Sequence, residues 1–303
     1  MQLRSLALPA MAGLALVACG STDNNTGGGA ASSSSTSSST TAACASGSIT
    51  ASGSTALQPL VAKAATAYQA KCPGATITVS GGGSSVGLSN VAAGVSDVGD
   101  SDVPVSNAKS IDATTVKDNQ VAVVVFAVIV NPAAGVTNLT TQQVQDVFSG
   151  KVTNWKDVGG KDVAITLIER KTGSGTRLSF IKDMLGGTDT ESKTPASTQD
   201  STQLVLQGVA GAPGGVSYVG VSSANSSVTA VSIDGNAPTA ANVTSGKYKY
   251  FSHEHMYVKA TGASPLASAF IDYILSSDVQ NGMVTQLGYL PVSTTTEQSA
   301  ADQ

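Results

Sequence analysis

The chain has 303 residues, 41% hydrophobic and 12% charged, with 32 glycines and only 4% aromatic side chains. Such a length allows about two lobes of ~150 residues with ample core, and the apolar share excludes a coiled coil or a wholly disordered chain. The balance of 16 basic against 20 acidic residues leaves −4, which excludes broad attraction to nucleic acid or an anionic membrane but allows a small anion held by local donors.

Met1 to Ala18 carries one cation, Arg4, and then an apolar stretch from Leu6. It is shorter than the roughly 20 residues of a spanning helix and suits an export signal over 1–18. The segment ends Leu16-Val17-Ala18-Cys19, which resembles the lipobox of bacterial lipoproteins, in which the cysteine is lipidated; ordinary signal cleavage nearby is the alternative. Residues 19–44 read as a lipid-anchored Ser/Thr/Gly-rich tether, because positions 32 to 41 are all Ser or Thr and offer nothing apolar to offset the entropy of ordering. With Cys19 assigned to the anchor, Cys44 and Cys72 form a disulfide candidate, since an exported compartment allows the bond. A strand over 48–52 and a returning helix over 57–70 would put both at the same end of one unit. Two free thiols are the alternative, and no metal site is expected, as neither cysteine has a CxxC partner.

The helix is predicted by the apolar stripe Leu57, Leu60, Val61, Ala64, Ala65 and Tyr68, with Pro59 tolerable in its first turn. Ala75 to Ser80 is β-like, and a second stripe follows at Leu88, Val91, Ala92 and Val95. Val121 to Val130 is an unbroken apolar run, as in a strand covered on both faces. Thr140 and Gln143 have capping-box spacing ahead of a helix ending near Gly150. Val163 to Ile168 is the next strand, followed by a helix with Leu178, Ile181 and Leu185 on its face. Gly215 to Val219, Val228 to Ile233 and Tyr248 to Val258 read as extended, and Ser264-Pro265 opens a helix carrying Leu266, Ala269, Phe270, Tyr273 and Ile274. The alternation indicates an α/β class with largely parallel sheets and no transmembrane helix in the folded body. The extended stretches near 121–131 and 248–259 are natural crossings between lobes.

Three strands end in small-residue loops that open helices: Ser52-Gly53-Ser54-Thr55, Gly83-Ser84-Ser85 and Gly173-Ser174-Gly175-Thr176. Free amides and the positive end of a helix dipole favour an anion there, and hydroxyls add donors without charge. Glu169-Arg170-Lys171 begins the third loop and Arg177 lies just inside its helix, so a guanidinium could fork onto an oxyanion. Gly99-Asp100-Ser101-Asp102 brings carboxylates near the same loops, which is unfavourable for an anion unless the ligand carries a proton to donate. That combination points to hydrogen phosphate rather than sulfate.

Gly53-Ser54-Thr55-Ala56-Leu57-Gln58-Pro59-Leu60, Gly99-Asp100-Ser101-Asp102, Phe148-Ser149-Gly150-Lys151-Val152-Thr153-Asn154-Trp155, Arg170 with Gly173-Ser174-Gly175-Thr176-Arg177, and Gly288-Tyr289-Leu290-Pro291 occur in this order. Together they resemble the phosphate-binding lipoproteins of bacterial phosphate ABC transporters, over about Ser48 to Val292. The resemblance implies a two-lobed, hinge-closing periplasmic-binding-protein-like fold, each lobe a sheet flanked by helices. Lobe I would be 45–127 plus 254–293 and lobe II 128–253, with a C-terminal tail over 294–303. It implies phosphate-binding roles for Ser54, Thr55, Ala56, Ser84, Asp102, Arg170, Ser174, Gly175, Thr176 and Arg177, with Asp102 as proton acceptor. It further implies delivery to membrane permease subunits, a monomer, no cofactor and no catalysis. Two positions depart from the family pattern: Val86 replaces a hydroxyl residue in the second loop, and Thr172 replaces an aspartate that pairs with the arginine.

The rival reading is enzymatic. Gly83-Ser84-Ser85-Val86-Gly87 fits GxSxG, so a secreted serine esterase would use Ser85 with His253 or His255. The histidines sit in a strand-like alternation, and no HGGG-type oxyanion segment is present. His253-Glu254-His255 is no HExxH metal motif, and no GxxxxGK[ST] supports nucleotide hydrolysis. The lone Trp155 reads as a packing residue.

Overall fold

A computed structural model describes residues 44–108 and 110–295. The expected export signal 1–18, Cys19, the tether up to residue 43 and the tail from 296 lie outside the described residues.

In chain order, β1 (Gly47–Gly53) leads to α1 (Gln58–Lys71), β2 (Ala75–Ser80) to α2 (Ser84–Ala93), and β3 (Val98–Ser101) to β4 (Val116–Lys117) and β5 (Gln120–Val130). Then come β6 (Asn138–Leu139), α3 (Thr141–Phe148), β7 (Thr166–Arg170), α4 (Gly175–Asp183), β8 (Ser197–Gln199), α5 (Thr202–Gly211) and β9 (Gly215–Gly220). The order closes with β10 (Thr229–Ala230), β11 (Ser232–Ile233), α6 (Ala240–Thr244), β12 (Phe251–Lys259) and α7 (Pro265–Leu275). Among the described residues the main sheet runs β2-β1-β3-β12-β5-β9-β7-β8, with β10 on β5, β4 on β12, and β6 and β11 apart as a pair.

The expected parallel pairing holds at the two ends: β1 is parallel to β2 and β3, and β7 to β8 and β9. The middle is antiparallel. β12 runs against β3 and β5, and β5 runs against β9. β5 pairs with β12 through Val125 and with β9 from Phe126 onward, so one strand serves both ends of the sheet. Every residue from Val121 to Val130 is buried, as its unbroken apolar run requires.

Local signals place most helices. Pro59 sits in the first turn of α1, where its missing N–H costs nothing, and Leu60, Val61, Ala64, Ala65 and Tyr68 are its buried face. Thr140 and Gln143 form a full capping box on α3. Some expected elements are shorter or turned. α2 stops at a left-handed Gly94, leaving Val95 beyond the helix and 70% exposed. α4 ends at Asp183 and buries Thr176, Ser179 and Phe180, with Leu178 and Ile181 only half-buried, because its first turn is sunk among the other loops. The 228–233 stretch is split between β10 and β11, which pair with different strands. Trp155 is fully buried, its indole N–H donating to the Gly214 carbonyl at 3.0 Å.

Before β1, Cys44 is joined to Cys72 after α1 by a disulfide, with Cα atoms 5.4 Å apart. Beside it, the Tyr68 hydroxyl accepts from the Ala45 amide at 3.1 Å, and the Tyr68 ring meets Phe270 and Tyr273 of α7 edge-on. The bridge closes a loop with a sequence separation of 28, for which chain entropy gives a contribution of about 3–4 kcal/mol. Cys72→Ser is expected to lower the unfolding free energy by that order in a denaturant titration, and reductant should lower the wild type to the same level while leaving the variant unchanged.

Candidate functional site

Strand ends and helix starts gather on one side of the sheet, where an open cleft of about 620 Å³ is lined by Thr55, Gln58, Gly81, Gly82, Gly83, Ser85, Val86, Lys171, Thr172, Gly173, Ser174, Asp200 and Ser201. The first loop reaches it because Gly53 has φ 140° and a Cβ there would sit 2.1 Å from the Asp100 carbonyl, so β1 can approach β3 only with glycine. Ser54 Oγ then accepts from the amides of Ala56 at 3.1 Å and Leu57 at 2.9 Å and donates to Asp102 Oδ1. Thr55 Oγ1 accepts from Arg170 Nη2 and from the Thr202 amide, each at 3.2 Å.

The other loops close around the same carboxylate. Ser84 Oγ accepts from the Asp102 amide at 3.0 Å, leaving its own proton available. Ser174 caps α4, and Thr176 Oγ1 donates to Asp102 Oδ2 at 2.7 Å. A Cβ on Gly175 would lie 2.2 Å from Ser84 Oγ and 2.8 Å from Asp102 Cβ, so any larger residue would push the second and third loops apart. The Ser85 amide also donates to the Gly173 carbonyl at 3.1 Å, joining those loops directly.

Arg170 and Asp102 are each only 1% exposed. Burial pulls the Arg170 guanidinium below its ordinary pKa, and Asp102 opposes that shift. Burial, reinforced by Asp102, pushes the Asp100 carboxyl well above the usual range. A buried cation, a buried accepting carboxylate and a set of hydroxyls thus lie together beneath the cleft, where each charge-assisted bond is stronger than in solvent. The arrangement suits a compact oxyanion able to accept from a guanidinium and hydroxyls and to donate one proton.

Of the residues expected from sequence, Ser54, Thr55, Ala56, Ser84, Asp102, Arg170, Ser174, Gly175 and Thr176 are brought together here. Thr172 leaves Arg170 without an aspartate, and the guanidinium instead donates to Thr55, Thr176 at 3.4 Å and the Asp200 carbonyl at 3.4 Å. Val86 lines the cleft and is 41% exposed. The esterase geometry is not formed: Ser85 lines the cleft, whereas His253 Nε2 pairs with the Thr295 carbonyl at 3.0 Å and His255 Nδ1 with Asp118 at 2.9 Å. Sequence reasoning missed a fourth loop, from β8 into α5, where Ser201 caps the helix and Asp200 and Ser201 line the cleft. Its Asp200-Ser201-Thr202 start is a capping signal that could have marked it.

Residues 38–278 match a family model described as a PBP superfamily domain. The chain is 44% identical over 252 residues to the phosphate-binding protein PstS of Bacillus subtilis, covering 82% of each protein. Among solved structures, it resembles a phosphate ABC transporter substrate-binding protein with bound phosphate from Clostridium perfringens, with TM-score 0.75 and 30% identity over 81% of this chain and 99% of that one. An ABC-type phosphate transport receptor from Vibrio cholerae follows, with TM-score 0.63 and 28% identity over 81% of this chain and all (100%) of that one.

Arg177 departs from its expected place on the ligand. Its guanidinium donates to the Arg170 carbonyl at 2.6 Å and is ion-paired with Glu169 at 3.4 Å, Asp189 at 3.2 Å and Glu191 at 2.7 Å. Three carboxylates crowd one cation, so Arg177 acts behind the site by holding the strand end that carries Arg170. Burial pushes Glu191 up to about 7 from 4.5, against the pull of Arg177 and the Tyr218 hydroxyl. A folded-state pKa above the unfolded one means that stability is present below pH 4.5 and is lost as pH rises through about 7. Urea titrations across that window should show unfolding free energy falling by up to about 3 kcal/mol more in the wild type than in Glu191→Gln.

Proposed function

The chain belongs to the PBP superfamily and, within it, to the phosphate-binding proteins of ABC transporters, and from that premise we propose that its cleft captures inorganic phosphate outside the cytoplasm for delivery to a permease. The observation that carries this is the buried Arg170–Asp102 arrangement. A guanidinium alone would accept any oxyanion, but a carboxylate beside it rejects one that has no proton to offer. Hydrogen phosphate supplies the negative oxygens for Arg170 and Thr55 and the proton for Asp102. Ser84 and the amides of the third loop complete the donors at the start of α4, where the helix dipole favours an anion.

The two lobes are placed at 45–127 plus 254–293 and at 128–253. The crossing strands support this division: β5 changes partner from β12 to β9 near Phe126, and β12 has its register break between Glu254 and His255. Closure over the ligand would expel water and strengthen every bond to it. Lipid attachment at Cys19, a Ser/Thr-rich tether and a monomeric body docking on permease subunits complete the proposal, with no catalysis by the chain itself.

Calorimetry on protein stripped of bound ligand tests it. Phosphate should bind and sulfate should not, and Asp102→Asn should narrow that preference by about tenfold or more, because the acceptor becomes in part a donor. Arg170→Ala should weaken phosphate binding by about tenfold to several hundredfold. Absence of phosphate binding by the wild type would overturn the assignment.

A further inference from the structure

Glu254 is fully buried, and none of the functional roles above uses it. β12 pairs with β3 through His255 opposite Ser101, Met256 opposite Asp100 and Tyr257 opposite Gly99. Continued by one step, the antiparallel register sets Glu254 opposite Asp102, and directly opposed residues share a face of the sheet. Ser252, two residues earlier on β12, donates from its hydroxyl to the Asp102 carbonyl at 2.5 Å, so the two strands remain close at this point. Among the described residues, no N–H or O–H donor bonds either Glu254 oxygen. The first charged group acting on its carboxyl is Asp102, the residue it faces across the two strands.

Two carboxylates can share a hydrogen bond only if one carries a proton. Asp102 already accepts from Ser54 and Thr176. Glu254 has no such donors, and the ionisable groups around it are acids: Asp102, Asp100 and the Tyr289 hydroxyl. Burial first, then Asp102 and Asp100, push its carboxyl well above the ordinary range. We propose that Glu254 is a positioning residue for anion selection, a neutral acid that donates to Asp102 from the side of the sheet and fixes the direction of its accepting oxygens. An ionised Glu254 would instead place a second buried negative charge beside the anion site.

The binding part of this inference rests on the phosphate assignment, and the spectroscopic part does not. Infrared difference spectra of the intact protein at neutral pH should show a protonated-carboxyl C=O band that is lost in Glu254→Gln and kept in Asp100→Asn. Glu254→Gln, whose amide still donates, should keep phosphate affinity within about threefold. Glu254→Leu should lose about tenfold to a hundredfold and should also reject sulfate less strongly. A wild-type minus Glu254→Gln spectrum containing only ionised-carboxylate bands would overturn the assignment, as would Glu254→Leu binding like the wild type or Glu254→Gln failing as badly as Glu254→Leu. If the wild type bound no phosphate, the ligand would be wrong while the infrared result still decided the state of Glu254.

Discussion

The buried carboxylate of Asp102 is the constraint around which the loops are arranged. A charge 1% exposed must be solvated by the protein itself, and here the donors are Ser54 and Thr176, with Arg170 close by. Because each donor comes from a different strand end, the carboxylate ties β1, β3 and β7 to one point. This explains the small residues: Gly53 and Gly175 leave no room for a Cβ at the places where loops must nearly touch. It also explains why hydroxyls rather than further cations contact the carboxylate, since they stabilise it without tilting the charge balance.

Much of this was legible in the chain. β5 was visible because ten consecutive buried residues leave an unbroken β-branched run. The three loops were visible because glycine and serine between a strand and a helix have few other uses in combination. α5 was not, because Gly208 and Gly211 dilute its stripe; Gly208 is there for close packing, with a Cβ position only 3.1 Å from Ile168. Arg177 was misplaced because its partners Asp189 and Glu191 lie in the irregular connection after α4, and no spacing rule links them.

Glu254 shows a different limit. Ser252, His253, Glu254 and His255 read as polar positions of a half-exposed strand, yet all but Ser252 are buried. Both α2 and α7 pack against β12, and β3 and β5 flank it, so a central strand has been written in polar letters. Ser252, His253 and His255 each make a specific bond, to the Asp102 carbonyl, the Thr295 carbonyl and the Asp118 carboxylate. Periodicity reports average burial and is blind to polar groups satisfied pairwise.

The Cys44–Cys72 bridge has a mechanical consequence. It starts at Cys44, the first described residue, and fastens it to Cys72 just beyond the C-terminal end of α1. Tension arriving at Cys44 is therefore shared with the end of α1 through a covalent sulfur link instead of falling only on the hydrogen bonds between β1 and its neighbours β2 and β3. Those bonds set the position of Gly53 and the loop after it. A pull on the chain ahead of Cys44 would thus disturb the register of the strand that opens the cleft less than it would without the bridge.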